Sequence, residues 1–334
     1  MVGLYRRARR ALGRGIELGR LRAARLASRG GALFRRLFLC GPERALLARA
    51  LAGLEATGVI EYSGEFGAEI TTFIPFVHWL QTSGRLCGRR VVTYGGMRPY
   101  YFFLDDAQYC EKGAKRSWQA HDRRPWPGSS TYSAIRRPWL RPVDFRARYR
   151  DQGLAFERPV LFIQNKFCIE WYRGPVNYIP LDSLETLFAF SRDRFDVVYS
   201  CPRTGNDRAL FVGDDNADCE YPDLSLARSF KNVLVLEDHC ASTGAPFNQT
   251  KLEILAKSHL FVGVQGGASH LLACFPDSVL LLLHVEGDEY PHAYAAGPYT
   301  YLADPAPILL LTRRIWEFRR GVALMGALTV EGGR

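Results

Sequence analysis

Hydrophobic positions in this chain fall into short, nearly unbroken runs separated by polar and glycine-rich turns, and the most informative run lies late. Residues 260–264 form a β-rich apolar stretch that meets Gln265, Gly266 and Gly267, after which apolar residues recur without alternation up to Phe275. This pattern predicts a buried strand, a glycine turn and the first turns of a helix. A second run, 279–283, is too apolar to have a wet face. Two such strands flanking a helix predict a βαβ unit in a parallel sheet covered on both sides. At that kind of junction backbone N–H groups and the helix dipole face outward, so glycines there either admit a phosphate or simply make a tight turn.

The rest of the chain repeats the theme. Strands are expected at 59–62 and 90–94, the first running through Gly64 and Gly67 into a helix that carries Phe73, Phe76, Val77 and Leu80. Residues 111–142 lose periodicity and read as a long excursion. Beyond it, strands at 160–163, 196–200 and 232–236 alternate with helices at 181–190 and 248–258, as a doubly wound sheet requires. The expected domains are a basic arm (1–50), an α/β domain (51–150), a second, Rossmann-like domain (151–312) and a C-terminal helix and tail (313–334).

Charge changes this picture in one place. The net charge of +10 is carried by residues 1–50, which hold 13 arginines against Glu17 and Glu43; the remaining 284 residues sum to −1. A basic groove spread over the fold, and with it nucleic-acid binding, is disfavoured. Residues 4–38 interleave arginine with leucine, isoleucine and phenylalanine, a pattern suited to an anionic membrane surface. A solvated arm or an organellar transit peptide would share that composition. No apolar run reaches the ~18–20 residues that span a bilayer. The eight cysteines form no CxxC and no zinc-ligand spacing with histidine, which fits a reducing compartment. A cytoplasmic protein, peripheral at the inner membrane face, is expected.

Polar groups gather just after several predicted strands: Asn165 and Lys166, Arg203, Glu237 and Asp238, and Gln265. In a parallel sheet these ends share one edge and converge on one crevice. Lys166 and Arg203 beside a helix start suit a diphosphate, although each could be a surface ion pair. Gly266, Gly267, Ser269 and His270 line the same turn. In the first half, Glu65 sits between Gly64 and Gly67, and Glu69 and His78 follow on the helix; a carboxylate or imidazole there could serve as general base. Glu69 could equally complement the helix dipole.

The run 260–283 resembles the donor-site segment of GT-B-fold glycosyltransferases of the family 61 (DUF563-like) type, which carry Val-Gly-Val-His-Gly-Ala-Gly before a helix. Here Gln265 stands where that family has histidine. Residues 64–69, 165–171 and 197–203 look like motifs of bacterial and viral glycosyltransferase-like proteins in the same order. The resemblance implies two Rossmann-like domains facing a cleft. It implies a nucleotide sugar as co-substrate, with no other cofactor, and a glycan or lipid-linked acceptor. With no Asp-x-Asp signature, metal-independent transfer is expected, Glu65 ahead of Glu69 and His78 as base. Two other readings remain: a non-catalytic nucleotide- or glycan-binding module, and a dinucleotide oxidoreductase. The second lacks Gly-x-Gly-x-x-Gly spacing.

Overall fold

The structure, a computed structural model, describes residues 40–113, 116, 137–169, 174–201, 219–287, 289–290, 292–295 and 297–330. The arm at 4–38 and Arg203 lie outside the described residues. Two parallel sheets organise the chain, one of three strands and one of six. Helix α1 (Cys40–Thr57) leads into β1 (Val59–Glu61). Then α2 (Phe66–Ala68), a π-turn (Glu69–Phe73) and α3 (Ile74–Thr82) follow as one rod. The first sheet is completed by β2 (Arg90–Tyr94) and β3 (Tyr109–Lys112), in the order β1-β2-β3. Apolar side chains of the rod, among them Ile70, Phe73, Phe76, Val77 and Leu80, are buried.

Helix α4 (Phe145–Tyr149) bridges the units. Phe145 packs on Tyr100 of the first and Phe275 of the second, 6.1 Å from each ring. Arg146 donates to the carbonyls of Ala256 and Ser258, 2.7 Å each.

The second unit runs β4 (Val160–Gln164), α5 (Leu181–Ser191), β5 (Asp196–Ser200), α6 (Asp223–Arg228), β6 (Val233–Val235) and α7 (Leu236–Thr243). It continues with α8 (Phe247–Lys257), β7 (Ser258–Val264), α9 (Gly267–Leu272), β8 (Val279–Leu283), α10 (His292–Ala295), β9 (Ile308–Thr312) and α11 (Ile315–Val330). Strands β4, β7 (apart from His259) and β8 are buried along their length, as their apolar runs require. The sheet order is β6-β5-β4-β7-β8-β9, all parallel. The chain therefore winds outward from β4 through β5 to β6, then crosses back to β7 on β4's other side. This is the doubly wound Rossmann order, and its reversal between β4 and β7 opens a crevice at the carboxyl ends of those two strands.

The expected fold class holds: α/β, with two Rossmann-like units facing one another. Three local readings differ. Strand 232–236 stops at Val235, and Leu236, Glu237 and Asp238 begin α7. Strands β3 and β9 were not anticipated, the first because it lies where periodicity fades. No helix among the described residues is long and apolar enough to cross a membrane.

Candidate active site

The crevice between β4 and β7 collects the strongest chemistry. Past β4 come Asn165 and Lys166; past β7 come Gln265 and Gly266. Lys166 Nζ donates to Gln265 Oε1 at 3.1 Å. The same amide oxygen accepts from Asn177 Nδ2 at 3.1 Å, and Gln265 Nε2 donates to the Glu289 carboxylate. Asn177 in turn fastens the loop after β8: its Oδ1 accepts from the N–H groups of Val285 (2.9 Å) and Glu286 (3.2 Å). Gly266 is needed here for two reasons. Its φ of +139° is rare for any residue with a side chain, and a Cβ would stand 3.1 Å from Lys166 Nζ.

The first unit reaches this point through Gly67. A Cβ on Gly67 would stand 2.9 Å from His270 Cδ2 and 3.1 Å from Gly267 Cα, and one on Gly267 would stand 3.0 Å from Gly67 N. The starts of α2 and α9 therefore meet backbone to backbone. Glu65, the residue before α2, is half-buried beside this junction and has extended backbone geometry. Its turn is held on three sides. Tyr62 Oη donates to the Glu65 carbonyl (2.6 Å), Gly64 N–H donates to Tyr94 Oη (3.1 Å), and Arg116 donates to the Gly64 carbonyl (3.1 Å).

Glu69 is placed differently. It is wholly buried and accepts from Thr93 Oγ1, from Tyr101 Oη at 2.7 Å and from the Arg116 guanidinium, with which it forms an ion pair. Such a carboxylate anchors the wall behind Glu65 rather than facing an acceptor. His78 lies eleven residues beyond Gly67, about 16 Å along the rod. Its Nδ1 is bound to the Pro142 carbonyl at 2.9 Å, its ring rests on Phe103, and burial lowers its pKa. It is not brought to the crevice.

The remaining residues divide between holding and lining. Asn165 is fully buried: its Oδ1 accepts from Ile179 N–H (2.9 Å) and its Nδ2 meets Tyr199 Oη (3.3 Å), so it shapes the loop that carries Lys166. Ser269 donates to the Gly266 carbonyl (2.7 Å) and accepts from Tyr299 Oη (2.8 Å), fixing the glycine turn from inside. His270 is buried against Gly67, and burial, helped by the Lys166 charge, pushes its pKa down to about 4. Glu237 accepts from Ser200 Oγ (2.8 Å), while its Oε2 has no hydrogen-bond partner among the described residues. Burial raises its pKa. Asp238 instead makes an exposed two-point pair with Arg228, both contacts 2.8 Å, which keeps its carboxyl below the usual range.

Sequence reasoning missed Asn177, Glu289, Lys251 and Arg116. Lys251 is buried and donates to Gln164 Oε1 at 2.7 Å. Its helix also carries Asn248, Gln249, Thr250, Glu253 and Lys257, so nothing in the sequence marked this lysine. Arg116 lies in the aperiodic excursion, where nothing marks one arginine among many.

Comparison with protein-family models and with curated proteins finds no match to this sequence. Among solved structures, the chain is similar to E. coli ADP-heptose lps heptosyltransferase II. That likeness has 10% identity and a TM-score of 0.49, over 83% of this chain and 99% of that one. It is also similar to E. coli heptosyltransferase WaaC with ADP, at 12% identity and a TM-score of 0.44, over 82% of this chain and 97% of that one. Both are described as heptosyltransferases, not as enzymes of the family 61 type. Likeness this distant assigns no activity.

Proposed function

We propose that the chain is a glycosyltransferase that moves a sugar from a nucleoside-diphosphate sugar to a hydroxyl of a glycan or lipid-linked acceptor, without a metal. The observation that carries this reading is the placement of Lys166 against Gly266 at the β4–β7 crossover, with the start of the opposite unit in backbone contact. A diphosphate at that point meets an ammonium and glycine backbone that can be approached closely. Transfer forms a bond between the acceptor oxygen and the anomeric carbon. The bond from that carbon to the diphosphate oxygen breaks, and the nucleoside diphosphate departs with the electron pair. Fixed positive charge at Lys166 stabilises the departing anion as its charge develops. Glu65, at the junction on the facing unit, takes the acceptor's proton. Gln265 and Asn177 keep the lysine and the loop after β8 in register. An acceptor built on a lipid carrier would suit residues 4–38, if that arm lies on anionic lipid.

The test is thermal unfolding of the full chain with ADP, UDP, GDP, CMP, dTDP and NAD, for the wild type, Lys166→Met and Glu65→Gln. At least one nucleoside diphosphate should raise the melting temperature of the wild type and of Glu65→Gln but not of Lys166→Met. Sugar transfer should be lost in both variants. Stabilisation by NAD alone would sink the reading in favour of an oxidoreductase. Full transfer by Glu65→Gln would remove that residue from the chemistry.

A further inference from the structure

The segment leaving β4 sends its chemistry in two directions. Lys166 turns toward β7, where its ammonium meets Gln265. Phe167, the next residue, packs instead on Tyr221, which lies just before α6 on the β5 side. The two rings are parallel, centroids 4.0 Å apart with planes 6° from each other. Tyr178 stands edge-on to both, at 4.8 and 5.6 Å. Hydrogen bonds tie the three segments together: Cys219 N–H donates to the Phe167 carbonyl and Tyr221 Oη to the Ile179 carbonyl, 3.2 Å each. Asn165 holds Ile179 in turn.

Core packing does not account for these rings. All three stay half-buried, and none belongs to either of the two hydrophobic cores. What remains is a fixed aromatic surface at the sheet's carboxyl edge, one residue from the proposed phosphate-binding lysine. In a doubly wound sheet of this order a dinucleotide-like ligand spans the reversal point, with its parts on either side of the first strand. Aromatic side chains there offer a π-face to any base.

We propose that Phe167, Tyr178 and Tyr221 form the nucleobase subsite of the donor, the base lying on this cluster while the diphosphate lies at Lys166. This rests on the nucleoside-diphosphate reading above. Because stacking asks only for a flat ring, the cluster contributes affinity for nucleosides as a class.

Isothermal titration of the full chain with ADP, UDP, GDP and inorganic pyrophosphate separates the two ideas. Tyr221→Leu and Phe167→Leu should each weaken nucleoside diphosphates about tenfold or more, a stacking-sized loss. Both should leave pyrophosphate unchanged, and Tyr221→Phe should bind as the wild type does. Circular dichroism melts check that the variants fold. Wild-type chain that binds pyrophosphate as tightly as any nucleoside diphosphate would overturn the base subsite while leaving the lysine site standing. Equal weakening of pyrophosphate and nucleoside diphosphates in the leucine variants would overturn it as well, showing a loop that only supports Lys166. Nucleoside diphosphates bound as tightly by the leucine variants as by the wild type would overturn it too. Binding of neither ligand by the wild type would overturn both readings.

Discussion

A buried ion pair and a half-buried lysine side chain flank the junction of the units, and they are treated in opposite ways. Behind Glu65, the Glu69 carboxylate and the Arg116 guanidinium are both sealed, and each meets partners on several sides. Arg116 also lies over the Tyr94 ring, 4.2 Å from its centroid. Across the junction, Lys166 is only half-buried and donates to the Gln265 amide beside a glycine turn. A sealed ion pair directs its charge into the protein itself. A half-exposed cation beside amide and glycine extends its field to something that arrives. The first region is built as scaffold and the second is the proposed site, although both are clusters of polar groups around a glycine.

That contrast can be broken most sharply at Arg116. Arg116→Met leaves the Glu69 carboxylate buried without its cation and should cost about 3–5 kcal/mol in denaturant unfolding. Adding Glu69→Leu should restore most of that loss, because removing both charges removes the desolvation penalty. If the single variant is as stable as the wild type, the pair is not sealed.

A smaller effect is expected from His270. Its pKa is held at about 4 in the folded chain against an ordinary value near 6.5, so the unfolded chain binds the extra proton between those limits. Stability should be full above pH ~6.5 and fall as the pH drops toward ~4, by on the order of 2–3 kcal/mol from this group. His270→Gln should flatten the melting temperature's dependence on pH in that window; an unchanged slope would show that His270 is not responsible.

The smallest effect belongs to the pair Arg228–Asp238, half-exposed on both sides. Arg228→Gln should change stability by less than about 1 kcal/mol and leave nucleotide binding untouched. Any loss of nucleotide affinity would return Asp238 to the crevice, where its place after a predicted strand had put it.

The parallel second sheet was legible because its central strands β4, β7 and β8 are buried on both faces. Apolar runs such as 160–163 and 279–283 leave no room for a wet face, and strand ends in a parallel sheet share an edge by construction. That is why Lys166, Gln265 and Gly266 could be grouped before their contacts were known. Glu237 and Asp238 could not be told apart in the sequence, but adjacent helical residues point about 100° apart, so Glu237 is buried on Ser200 at the end of β5 while Asp238 pairs with Arg228 at the surface. Glu69 was misjudged because its cation comes from an aperiodic segment. Asn177 and Glu289 were invisible for a related reason, since each acts through loops joined only in three dimensions.

The meeting of Gly67 with Gly267 joins two positions two hundred residues apart into a single inherited constraint. A side chain at either position would press on the other's backbone, and at Gly67 also on the buried imidazole, so the two helix starts or that ring would have to give way. A lineage that gave up one glycine would have to rebuild the approach of both helices before it recovered the crevice.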